Sequence, residues 1–168
     1  MDRKEEFARD VSVIAEAQRG HDGKALVAAS SNLGAKVTAL RTRLRAKDRS
    51  AVDEALDLLE IRRPVIWLGY AQEKLLRSLK HVILDDSQLG RLEFLALQLV
   101  GSSLQGGQLR ELVRVLRGQA SDSFLARVQG LFSAPNESTQ RRAKRTVSVL
   151  SQPAVKVERS RSRRPTTR

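Results

Sequence analysis

Between residues 26 and 44 an apolar or small side chain returns at every third or fourth position: Leu26, Ser30, Leu33, Val37, Leu40 and Leu44. That spacing places all six on one face of an α-helix, and it rules out a strand, whose faces alternate residue by residue. The same period runs through residues 3–18, with Phe7, Val11, Ile14 and Gln18 aligned ahead of Gly20. No strand alternation interrupts it anywhere in the 168 residues. The chain is therefore read as all-α.

Further along, Ser50-Ala51-Val52-Asp53 resembles a capping box that opens a helix with Val52, Ala55, Leu56 and Leu59 on one face. Pro64 lacks an amide proton and predicts a kink or break. Beyond it, Val65, Leu68, Leu75, Leu76, Leu79, Val82 and Ile83 predict a second long helix. Asp85-Asp86-Ser87 reads as a tight turn that caps a third helix, about 87–102, which is apolar almost all round. The short turn predicts an antiparallel helical hairpin over residues 65–102. A lone hairpin cannot cover its second face, so a hairpin from a second copy is expected to pack there. Trp67, Leu75, Leu79, Leu92, Leu95 and Leu99 are the residues assigned to that dimer interface.

Gly106-Gly107 breaks the chain ahead of a short helix, 108–117, with Leu109, Leu112, Val113 and Leu116 inward; Gly118 stops it. Ser121-Asp122-Ser123 starts a final turn or two. Phe124, Leu131 and Phe132 follow, and they either form a contact between dimers or fold back on the core. Ala134-Pro135-Asn136 reads as a linker. The expected division is a helical assembly domain, 1–134, and an Arg/Ser-rich tail, 135–168.

Charge is distributed unevenly. Of 31 Lys/Arg and 19 Asp/Glu, residues 141–168 hold ten bases and one acid, Glu158, so they carry +9 of the net +12. The bases are Arg141, Arg142, Lys144, Arg145, Lys156, Arg159, Arg161, Arg163, Arg164 and Arg168. With no apolar period and with Pro153 and Pro165 in it, this stretch is expected to be a solvated, mobile arm. A polycation on a near-neutral body points to a polyanion, most simply nucleic acid, the other reading being a solubilising or targeting tail. The aromatics are few (Phe7, Trp67, Tyr70, Phe94, Phe124 and Phe132), too few for base-stacking platforms, so binding through phosphates is favoured.

Catalytic chemistry finds little to work with. There is no cysteine, hence no thiolate nucleophile, thiolate metal site or disulfide. His21 and His81 lie far apart without metal-ligand spacing. Asp85-Asp86 is read as a helix cap rather than a cation site, and residues 101–107 lack the lysine and strand of a phosphate loop. The expectation is a non-enzyme with no cofactor and no metal. No apolar run approaches the roughly 18 residues of a membrane span, and the first residues lack a secretory apolar region, which predicts a soluble protein.

In their order, several fragments resemble the core (capsid) proteins of hepadnaviruses and of their non-enveloped fish relatives, the nackednaviruses. They are Met1-Asp2 with Glu6-Phe7, Lys24 to Ser30, Ser50 to Leu56, Trp67-Leu68-Gly69, Gly107 to Val113, and the Ser/Arg tail. The family's cysteines and its Pro- and Tyr-rich segment after the last helix are absent here. The resemblance implies a subunit that dimerises through a four-helix bundle of two hairpins. It further implies an icosahedral shell whose tails hold an RNA pregenome, and residence in virions and in the host cytoplasm or nucleus. Two rivals remain open: a helical RNA- or DNA-binding protein that forms no shell, and a scaffold whose 24–46 heptads form a coiled coil.

Overall fold

A computed structural model describes residues 3–62, 65–102 and 106–152. Eight α-helices follow one another: α1 (Arg3–Arg19), α2 (Gly23–Arg45), α3 (Arg49–Glu60), α4 (Ile66–Leu79), α5 (Asp86–Gly101), α6 (Gly106–Leu116), α7 (Asp122–Gly130) and α8 (Glu137–Leu150). One 3-10 turn, Leu131–Ser133, lies between the last two. Among the described residues there is no strand, and the all-α expectation holds.

The helices start where side chains can satisfy free backbone amides. Asp22 accepts from the Ala25 amide, Asp48 from Ser50, and Ser121 from Phe124. Asp85 and Gln88 form a reciprocal capping box at the start of α5. The box expected at Ser50 is not the one that forms: the cap is Asp48, and Ser50 already lies inside the helix. Pro64 lies outside the described residues.

The end of α2 shows how a helix stops. The Lys47 amide bonds the Leu44 carbonyl and the Asp48 amide bonds that of Arg43, both at 3.1 Å. This is the Schellman pattern, and it sets Lys47 at φ 61°, a conformation that glycine adopts more cheaply. On α2 itself, Gly34 lets α4 come close: a Cβ there would stand 3.1 Å from the Trp67 ring, and the ring would have to shift by a few tenths of an ångström.

One core runs through the chain, and its organisation corrects the hairpin expectation. α4 packs against α2 and α6, while α5 packs against α3, α6, α7 and α8; α4 and α5 make at most marginal contact with each other. α4 also ends at Leu79, leaving Ile83 93% exposed rather than in the stripe. The residues assigned to a dimer interface lie inside this core instead. Leu75, Leu79 and Leu92 are fully buried, Leu95 and Leu99 are 6% and 3% exposed, and Trp67 is half-buried. The leucines of α5 are covered by helices of the same chain, which removes the need for a second copy to cover them.

The C-terminal boundary is also corrected. Residues 137–150, expected to be part of a mobile arm, form α8, whose Thr139, Ala143 and Thr146 are buried. This helix packs on α5, α6, α7 and the 3-10 turn. Phe124 is 1% exposed and belongs to the core, and Leu131 and Phe132 pack half-buried against it. These three residues therefore follow the core alternative rather than forming a protruding contact.

Polar groups bind the layers together. The Gln72 side-chain amide donates to the carbonyls of Leu58, Leu59 and Ile61 at the end of α3, at 2.9, 3.3 and 3.0 Å. Gln108 of α6 donates in turn to the Gln72 carbonyl oxygen. Arg91 of α5 donates to Glu60 and Asp57 of α3, at 2.7 Å each. Glu93 accepts from the Ser121 amide and hydroxyl, fixing the start of α7.

Three predictions follow from this architecture. Leu95→Asp would place an unpaired charge inside one chain's core, at a cost of several kcal/mol against a total stability of about 5–15. It should therefore lose its helical circular-dichroism signal and not merely change its association state. A folded variant with altered sedimentation would return Leu95 to an interface. Lys47→Gly relieves a left-handed penalty of about 1–2 kcal/mol and adds unfolded-chain entropy of about 0.5–1, so it should raise stability by roughly 0.5–1 kcal/mol in denaturant titration.

The third prediction concerns acid. Hydrogen bonds from Lys36 to Glu6 and from Arg43 to Asp48 hold those carboxyls below their usual range. Burial would raise Glu60, but hydrogen bonds from Arg91 and Lys4 outweigh it and lower that group too. Groups depressed on folding stabilise the fold fully above the ordinary carboxyl value of about 4–4.5, and this stability drains away as pH falls below it. The melting temperature should fall between pH 6 and pH 3, and Glu60→Gln should fall less over that interval than the parent.

Candidate nucleic-acid interface

α8 begins because Asn136 accepts from the amides of Ser138 and Thr139, at 2.8 and 3.2 Å, and because Glu137 stands in its positively polarised first turn. Gln140 donates to the Ala134 carbonyl at 2.8 Å, pinning the entry to the helix. Thr139, Ala143 and Thr146, at steps of four and three, then form the buried seam. With the seam inward, Arg141, Lys144, Arg145 and Ser148 are exposed. The chain thus presents three cations from a fixed helical surface. The Arg141–Glu137 ion pair, 3.7 Å long with both partners almost fully exposed, constrains little.

Arg142 behaves differently. It is half-buried and donates to the Ser138 carbonyl at 3.1 Å and to the Ser102 carbonyl at the end of α5. A guanidinium at that carbonyl end complements the negative pole of α5, so Arg142 fastens α8 to α5. Its role is structural, and nothing in the local run of bases distinguishes it from its neighbours. The other nominated cations, Arg159, Arg161, Arg163, Arg164 and Arg168, together with Lys156, lie outside the described residues.

α6 carries a second group of arginines that sequence reasoning did not select. Glu111 is 2% exposed, and around it stand Arg114 at 2.8 Å, Arg110 at 3.6 Å and Arg77 of α4 at 3.9 Å. Three guanidinium groups on one carboxylate leave a local excess of positive charge. Arg117, one turn beyond Arg114, donates to the Gln152 carbonyl just past α8. Gln152, the last described residue, therefore lies beside Arg117.

Another part of the surface is apolar. A groove of about 600 Å³ between α1, α2 and α4 is lined by Ile14, Leu26, Val27, Trp67 and Tyr70 among others. Val27 and Tyr70 are 67% and 64% exposed. Among the described residues no cluster of three or more His, Asp or Glu side chains could hold a metal ion, and no helix is long and apolar enough to cross a membrane. Comparison with protein-family models, with characterised proteins and with solved structures returned no match to this chain.

Proposed function

We propose that this protein binds nucleic acid through its phosphate backbone, using the outer face of α8 and the basic segment that follows it. The carrying observation is the placement of Arg141, Lys144 and Arg145 on a solvent face held by a buried seam, directly ahead of six further bases and one acid in residues 153–168. Phosphates are the ligand that such a surface suits. It offers positive charge in series and no aromatic side chain for stacking, so it grips a strand without reading its bases. RNA is the expected form, and a single strand can engage both the helix face and the basic residues that follow it in sequence. Ser148, Ser160, Ser162, Thr166 and Thr167 lie among these bases, and phosphorylation at each would subtract roughly 1.5–2 charges and weaken the grip.

A second reading, a capsid subunit that closes into a shell around RNA, draws support from one surface feature. The groove at Val27 and Tyr70 leaves large apolar side chains in water, which a contact between copies would cover. Such an assembly would use this face and not the α4–α5 leucines. Light scattering of the purified chain separates the two readings: large uniform particles support the shell, and a monomer or small oligomer removes it.

The binding proposal is tested by truncation and salt. A chain ending at Gln152 keeps α8 and should fold; one ending at Gln140 loses Ala143 and Thr146 from the seam and should not. If about nine or ten bases engage a labelled oligouridine strand, the full chain should show a log–log salt slope near −6, at about −0.7 per contact. Ending at Gln152 removes six bases and should make the slope shallower by about 4, and replacing Arg141, Lys144 and Arg145 with Gln in the full chain should remove about 2. Equal affinity for the full chain and the Gln152 truncation would refute the proposal.

A further inference from the structure

α2 and α4 end side by side, and the cleft between their last turns is lined by five Lys/Arg and one His with no carboxylate among its lining residues. The cations are Arg41 and Arg45 of α2, Lys47 just beyond it, Arg77 of α4, and Lys80 just beyond that helix; the imidazole of His81 lies next to Lys80 in sequence. The cleft encloses about 390 Å³. A second cleft, shared by α1 and α2, shows what a balanced surface looks like in this chain. There Arg3, Lys36 and Arg43 face Glu6 and Glu54, and ion pairs link every member.

In the basic cleft, Arg41 reaches Ser78 and Arg77 reaches Glu73 and Glu111, but among the described residues Arg45, Lys47 and Lys80 have no acidic partner. Cations at helix C-termini do complement the helix dipoles, which accounts for one or two of them. It does not account for a lysine at φ 61°, where glycine would be less strained. Keeping Lys47 there retains a charge in the cleft lining at the cost of backbone strain.

We infer that this cleft is a second phosphate-binding site for the same nucleic-acid strand, held on the folded body. The connection is physical. Arg77 in the cleft shares Glu111 with Arg114, and Arg117, just past the end of α6, donates to the carbonyl of Gln152, after which the basic residues follow in sequence. A strand held by α8 and the basic residues that follow it would reach the cleft by way of the arginines around Glu111. His81 is the only ring lining the cleft, so it grips phosphates without selecting bases. This inference rests on the nucleic-acid reading above and adds the body as a binding surface.

The test uses the full chain and a fluorescein-labelled oligouridine strand, with anisotropy read across a salt series. Arg45→Gln/Lys80→Gln should make the log–log slope shallower by about 1.4 and weaken binding about twentyfold at 0.1 M salt, from two contacts at about −0.7 each. Arg19→Gln/Lys24→Gln removes the same charge from an exposed region elsewhere and should leave the slope nearly unchanged, since screening acts over about 10 Å at that salt. Lys47→Gly should melt at a higher temperature yet bind about fivefold more weakly, a pairing that a merely structural lysine would not produce. If the cleft and control variants match the parent while the Gln152 truncation loses affinity, the cleft inference fails and the nucleic-acid reading stands. If the full chain does not bind the strand at all, both fail.

Discussion

The burial of α5 is the constraint on which the rest of this fold depends. The helix carries Leu92, Leu95, Ala96, Leu99 and Val100 in the core and has only Phe94 as a large exposed side chain. Covering such a helix takes neighbours on several sides, and the chain supplies α3, α6, α7 and α8. Removing this apolar area from water stabilises the fold by about 25 cal/mol per Å². α4 packs instead on α2 and α6, where Gly34 lets the Trp67 ring come close.

This arrangement gives the basic residues their geometry. Because α5 needs a cover at its C-terminal end, residues 137–150 become a docked helix, and Arg142 is drawn inward to the Ser102 carbonyl. The remaining α8 cations then face water from fixed positions. Buried polar links hold the other layers in register: Gln72 ties the end of α3 to α4, and Gln108 ties α6 to Gln72 of α4. An unmade bond at either buried amide would cost about 1–3 kcal/mol, so these links specify which helix lies against which. The same register sets Glu111 between α4 and α6 and gathers three arginines around it.

The helical period at Leu33, Val37, Leu40 and Leu44, the cap at Asp85 and the stop at Gly118 were legible from residues alone, because spacing and capping are local. The concentration of bases after residue 140 was legible for the same reason. The cleft was not. Its cations come from residues 41–47 and 77–81, and the run Arg41, Arg43, Arg45, Lys47 and Arg49 has a charge at every second position, which on a helix scatters them around the axis. Arg43 turns to Asp48 and Glu54, whereas Arg45 and Lys47 turn to the cleft. Only the neighbouring α4 separates these fates.

The sequence by itself determined an all-helical body, most of its helix boundaries and a strongly basic C-terminal quarter. Tertiary structure decided what covers α5, where the folded body ends and which cations remain unpaired. The leucine pattern of α5 states that it must be buried but not by what, since hydrophobic burial has no direction and a second copy or the same chain serves equally well. Likewise Thr139, Ala143 and Thr146 form too weak an apolar stripe to announce a helix by themselves, and a ready surface on α5, α6 and α7 is what makes that stripe sufficient.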